Sequence, residues 1–198
     1  QEALIARAEI LFNRKHFDQA LTDYKQLKAK ATPTERRQLA ATGMLRSAAM
    51  MQDDVETIAA ATDMLAEAKL TPELRNEALY FRAKAYLNQQ ADKKAMNDLQ
   101  ALAKDTRTLY GAEAKYLVAL QLYKAHEYAA AEKEILNFIE QSTPHAYWLA
   151  RSFILLSDVY VSMDKKLDAR QYLLSLQQNY HADDDIEQMI NERLEKLK

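Results

Sequence analysis

Apolar residues along this chain recur at spacings of three, four and seven, and a small residue is repeatedly followed twelve places later by an alanine. The pairs are Ala8 and Ala20, Ser47 and Ala59, Ala83 and Ala95, Ala119 and Ala131, and Ser157 and Ala169. Three residues beyond the first member of each pair stand Leu11, Met50, Tyr86, Leu122 and Tyr160. Large residues follow the alanine at four and seven: Tyr24 and Leu27, Leu99 and Leu102, Ile135 and Phe138, Leu173 and Leu176. Such spacings place side chains on one stripe of a helix, and the small residues let two helices approach closely. The interval returns every 36 to 39 residues, which marks a stacked helical repeat. It predicts a single domain of five helix pairs over residues 1–32, 33–71, 72–108, 109–143 and 144–181. The second pair is the weakest, because Asp63 and Ala66 fall where large apolar residues belong.

Helix-start signals match this division. Thr32, Pro33 and Glu35 form a hydroxyl cap with proline in the first turn and a carboxylate three residues on, and the Thr-Pro step returns at Thr71-Pro72 and Thr143-Pro144. Each proline lies 25 residues beyond the small residue of its pair. After Tyr180 the pattern changes. Asp183, Asp184 and Asp185 stand at a helix start, where carboxylates complement the helix dipole, and Ile186, Ile190, Leu194 and Leu197 share one face. Residues 183–198 therefore read as a helix capping the last pair. A calcium loop would need alternating ligands, a glycine and a distal glutamate, which this run lacks.

The pattern resembles the tetratricopeptide repeat: small residue and aromatic or leucine in the first helix, alanine and large residues in the second, proline at the close. The segments AEILFNRKHFDQALTDYKQL and ALQLYKAHEYAAAEKEILNFI carry it most clearly, with Phe17 and Tyr128 at the aromatic position three before the alanine. The resemblance spans residues 1–181. It departs in its length, longer than the usual 34 residues, and in Arg7 and Arg82, which stand where the family often has leucine. It implies a right-handed α-solenoid that binds proteins on the concave side lined by the first helices. The longer repeat also resembles assembly and coordination factors of the bacterial outer membrane, which implies a periplasmic or outer-membrane-associated location, with the cytoplasm left open. The opening at Gln1, already in a helical pattern, reads as a piece of a longer protein.

Composition agrees with an all-α chain: 198 residues, 48% apolar, with two glycines and three prolines. A net charge of -2 gives no electrostatic reason to expect a phosphate backbone as ligand, and no apolar run is long enough to span a bilayer. Cysteine is absent, which excludes disulfides and thiol chemistry. Two isolated glycines do not build a phosphate-cradling loop, and His16, His126, His145 and His181 have no metal-ligand spacing. Nothing here reads as catalytic, and no cofactor or metal is expected.

The functional expectation falls on the inner face of the first helices. Residues three before, one after and four after the small position share that stripe. The rows supply Ile5, Met44, Tyr80, Tyr116 and Ile154; Glu9, Ala48, Lys84, Leu120 and Asp158; and Phe12, Met51, Leu87, Tyr123 and Val161. A largely apolar, tyrosine-bearing groove suits an extended peptide or an amphipathic helix of a partner protein. Family members that clamp the carboxylate tail of heat-shock chaperones use basic residues and asparagines here, and Lys84 without an asparagine argues against that ligand. A structural spacer or self-associating segment is the second reading. RNA binding is disfavoured, because Lys84 is nearly alone as a cation on this face.

Overall fold

In the computed structural model, which describes residues 1–30 and 34–198, those residues form eleven helices and no strand. Ten are consecutive pairs: α1 (Glu2–Asn13) and α2 (Phe17–Lys30), α3 (Thr34–Met50) and α4 (Asp54–Leu65), α5 (Pro72–Asn88) and α6 (Asp92–Leu102), α7 (Leu109–Lys124) and α8 (Tyr128–Glu140), α9 (Ala146–Ser162) and α10 (Lys166–Asn179). A lone helix, α11 (Ile186–Lys196), follows. Helices adjacent in sequence pack together, from α1 on α2 through α4 on α5, and from α7 on α8 through α10 on α11. The chain is thus all-helical with the sequential packing of a helical repeat. It gathers into two compact units, Gln1–Asp98 and Leu99–Lys198, whose boundary lies inside α6.

The turn inside each pair is the most regular feature. Lys15, Gln52, Gln90, His126 and Asp164 all adopt φ between 57° and 64°, the left-handed region that costs an L-residue about 1 kcal/mol. The next amide, of His16, Asp53, Ala91, Glu127 or Lys165, donates to the carbonyl of Leu11, Ala48, Tyr86, Leu122 or Tyr160 at 2.8 to 3.1 Å. This closes the first helix in a Schellman arrangement and satisfies carbonyls its last turn would leave open.

Counting from these turns corrects the second pair. Seven residues before them lie Ala8, Leu45, Ala83, Ala119 and Ser157, and five after them lie Ala20, Thr57, Ala95, Ala131 and Ala169, all at most 3% exposed. The second pair is therefore centred on Leu45 and Thr57, not on Ser47 and Ala59, and Ala59 is exposed. Thr57 fits where the other pairs carry alanine because its hydroxyl donates to the Asp53 carbonyl at 2.7 Å. The core positions four and seven beyond it belong to Ala61 and Met64, which are buried, while Asp63 and Ala66 point outward. The equal spacing of the prolines was a coincidence of the misplaced register.

The caps also divide. Thr71 accepts from the Leu74 amide at 3.3 Å, with Pro72 opening α5 as expected. Thr32 and Pro33 lie outside the described residues. Thr143 does not cap α9. Its hydroxyl donates to the Thr106 carbonyl at 2.8 Å and accepts from His145 N–H, and the helix starts only at Ala146. Thr108, with no proline to mark it, caps α7 through the Gly111 amide. Gly111 is needed there by close approach: a Cβ would sit 1.8 Å from the Asp105 carbonyl oxygen.

Arg7 and Arg82 occupy the leucine position for a reason the structure supplies. Arg7 grips Asp23 with Nε and Nη2, and Arg82 grips Asp98 with the same two nitrogens. Both carboxylates are buried and sit three residues after the alanine of the second helix. In the second compact unit, α11 docks Ile186 and Ile190 against Leu173 and Leu176 of α10 and Ala150 and Ile154 of α9. A helix thus covers the end of the last pair, beginning at Ile186 rather than at Asp183.

Two predictions follow from these contacts. Gly111→Ala must displace the Asp105–Thr108 segment and should lower stability by about 2 kcal/mol, read by thermal denaturation. Asp98→Asn leaves Arg82, 19% exposed, without its counter-charge and should cost about 3 kcal/mol. The same change at Asp23 should cost less, because Arg7 is 62% exposed and water takes over its solvation.

Candidate partner-binding face

In the first compact unit, α1, α3 and α5 contribute to an open groove of about 580 Å³. Its sides carry Glu9, Phe12, Gln38, Leu39, Thr42, Arg46 and Leu74. Gly43 opens its floor. Without a side chain at that position, the ring of Tyr24 reaches through from α2, so close that an added Cβ would meet it at 2.5 Å. Burial raises the Tyr24 hydroxyl pKa, Glu9 raises it further and Arg46 lowers it, so the phenol stays neutral between two charges. Arg46 donates to both oxygens of Glu77 at 2.5 and 2.9 Å, tying α3 to α5. Phe12 packs edge-on against Phe17 at 5.1 Å across the α1–α2 turn. The groove therefore combines an aromatic floor with charges of both signs at its rim.

A second concavity in the same unit, of about 550 Å³, brings Tyr80 and Lys84 together with Gln52, Asp54, Thr57 and Asn88. The Lys84 ammonium lies 5.8 Å from the centre of the Tyr80 ring, and Asn88 donates to Asp54 at 3.0 Å. In the second unit, a concavity of about 460 Å³ holds Tyr123 and Asp158 beside Lys166, Glu192, Arg193 and Lys196. Arg193 of α11 grips both oxygens of Asp158 at 2.8 and 2.9 Å, so the wall of this hollow depends on α11 staying docked. Tyr123 meets Tyr128 with ring centres 5.8 Å apart and the rings tilted by 52°, at the positions that Phe12 and Phe17 hold in the first pair.

Several expected groove residues serve other roles. Tyr116 is buried: its ring stacks on Trp148 at 5.5 Å, and Arg151 lies over it at 5.1 Å and donates to its hydroxyl at 3.0 Å. This happens because α7 is enclosed along residues 111–119, a density of packing that periodicity alone does not reveal. Met44 belongs to the core between α2 and α4, since the true register gives its row to Thr42. Ile5 packs against the α1–α2 core, and Leu87 and Leu120 are half-buried outside these three hollows. Arg46 is the main residue that the sequence reading missed. In the corrected register it follows Leu45 and joins Glu9 and Lys84, so the central row in this unit is charged throughout. The polar steps around Lys15, Gln52 and Gln90, aligned with one another, were the signal that would have found it.

The aspartates before α11 have work of their own. Asp184 accepts from Tyr180 at 2.6 Å and from the Ile186 amide at 3.0 Å, and Asp185 accepts from Tyr147 at 3.0 Å. Among the described residues no three His, Asp or Glu side chains group to hold a metal ion. The three hollows offer apolar contact and paired charges. No protein-family model matches this chain, and no curated protein matches it.

Burial, and then the bond to Asp184, push the Tyr180 hydroxyl up to about 12. The neutral hydroxyl is the donor, and an unfolded tyrosine ionises near 10. The contribution of this bond is therefore complete below pH 10 and is lost as pH rises toward 12. Alkaline titration followed by the fluorescence of Trp148 should show α11 loosening across that window, and Tyr180→Phe should abolish that step.

Proposed function

We propose that this protein is a non-catalytic interaction scaffold of the tetratricopeptide-repeat type, which takes a peptide or helix of a partner protein on the face of its first helices. In this reading the helix pairs of each unit are tetratricopeptide-like hairpins of right-handed sense, five in the chain. The observation that carries the proposal is the first unit's groove, with Phe12 and Leu39 beside the Tyr24 ring and Glu9 and Arg46 at its rim. An aromatic anchor site flanked by both charges suits a segment with one bulky apolar side chain and neighbouring polar groups. The resemblance in repeat length to bacterial outer-membrane assembly factors is the ground for an envelope location.

The test is selection of displayed peptides on the wild-type protein, followed by affinity measurement on Phe12→Ala and Leu39→Glu. Neither residue is fully buried, so both variants should fold. An anchor worth about 2 kcal/mol should weaken binding roughly thirtyfold. Peptides held equally by wild type and both variants would overturn the groove reading. A selection that yields no peptide would favour the spacer reading instead.

A further inference from the structure

The groove of the first unit holds a polar group that the fold buries and leaves without a partner. Tyr24 is 5% exposed, yet its hydroxyl makes no hydrogen bond to any described residue. Its position follows from Gly43. The ring passes that residue along one edge, with Cδ1, Cε1 and Cζ each 2.5 Å from where a Cβ would stand, which carries the hydroxyl beyond Gly43 and into the groove that Tyr24 lines. The hydroxyl is not sealed there, since its oxygen still meets solvent. A phenol buried to this degree ordinarily has a hydrogen-bond partner. An unused hydroxyl on the floor of an open groove is a place for the polar group of a ligand.

The charge left unmatched around it has one sign. Glu9 and Glu35 line the groove, and neither is ion-paired among the described residues. Burial raises the Tyr24 hydroxyl pKa most, and the charge of Glu9 raises it further, which agrees with Glu9 facing the hydroxyl. Arg46 is the one cation among the described residues of the lining. It gives two hydrogen bonds to buried Glu77, at 2.5 and 2.9 Å, so its charge is already met. Gln38 and Thr42 are also occupied: the Gln38 amide donates to the Lys69 carbonyl at 2.9 Å, and the Thr42 hydroxyl to the Gln38 carbonyl at 2.8 Å. What remains for a ligand is two carboxylates, the phenol oxygen and the Asn13 amide, beside apolar Phe12 and Leu39.

We propose that the segment this groove takes is a basic one, in which a bulky apolar residue sits on Phe12 and Leu39 and a neighbouring arginine is received by Glu9 and Glu35 and donates to the Tyr24 hydroxyl oxygen. The proposal rests on the groove being the recognition site, and it names the chemistry of the ligand. Arginine fits this set better than lysine, because its planar guanidinium presents five donors in a fixed fork and lies flat against an aromatic ring such as Phe12. An acidic segment is the poorer occupant. The cation it would seek is held by Glu77, and its own charge would meet Glu9 and Glu35.

The test is an NMR titration of the full isotope-labelled chain. Gly43 and Gly111 are its only glycines, so their amide signals are readily followed. Gly43 reports on the floor of the groove, and Gly111, in the second unit, is the internal control. The probes are acetyl-leucyl-arginine amide and its glutamine and glutamate counterparts. A saturable shift at Gly43 and none at Gly111 is expected, with the arginine probe bound about tenfold more tightly than the glutamine probe and the glutamate probe weakest. Tyr24→Phe keeps the ring on Gly43, and Glu9→Gln changes an exposed residue, so both variants should fold. Each should weaken the arginine probe about fivefold and leave the glutamine probe within about twofold. Equal binding of all three probes at Gly43, or an arginine preference that survives both substitutions, overturns the basic ligand while the groove stands. A Gly43 amide that no probe moves overturns both.

Discussion

Four of the five pairs in this protein are held where a small residue of the first helix and an alanine of the second are buried together, the second pair using Leu45 and Thr57 instead. Ala8 and Ala20, Ala83 and Ala95, and Ala119 and Ala131 mark such crossings, and all are buried. A contact that tight tolerates one register only, because sliding either helix by a residue would bring a large side chain into the crossing. The left-handed turn supplies that register. Its residue stands seven after one crossing residue and five before the other in every pair. The conformational strain of an L-residue at φ near 60° is offset by the two helix-closing hydrogen bonds it permits and by the apolar stripes it brings into contact.

Charge is arranged around this crossing rather than scattered. Asp23 and Asp98 are buried, which is tolerable only because each receives two hydrogen bonds from an arginine one residue before a crossing. Arg46 and Glu77 repeat the same two-bond grip between successive pairs, and Arg193 and Asp158 do so between α9 and the terminal helix. Arg46 in the first unit and Arg193 with Asp158 in the second line hollows, and these ion pairs hold their side chains in place there.

That the chain is helical, with helices adjacent in sequence packed together, was legible from spacing alone, since periodicity reports which side of a helix is buried. What was not legible were events at single residues. Leu45 and Thr57 hold the crossing in the second pair although neither is the small residue the pattern seeks, and Thr57 succeeds only because its hydroxyl folds back on Asp53. A two-residue error there put Ala48 in the place of Arg46 and Met44 in the place of Thr42, and so took one charged and one polar position for apolar ones. Tyr116 was misjudged for a different reason. Its spacing does place it on the inner stripe, but the side chains of Trp148 and Arg151 cover it, and those contacts come from another pair. Thr143 shows the limit of a local motif, because a carbonyl 37 residues away takes the hydroxyl that a helix start would have used.

The side-chain bonds that join successive pairs are short in sequence: Arg46 to Glu77 spans 31 residues, Tyr116 to Arg151 spans 35 and Tyr147 to Asp185 spans 38. Each is formed once a pair and its neighbour exist. A chain with such low contact order does not wait for distant segments to find each other, so it can collapse one hairpin upon the last with small losses of loop entropy at each step. The recurrent turn therefore acts on time as well as on shape: within each unit it keeps such contacts near in sequence, which favours assembly of the hairpins in the order in which they are synthesised.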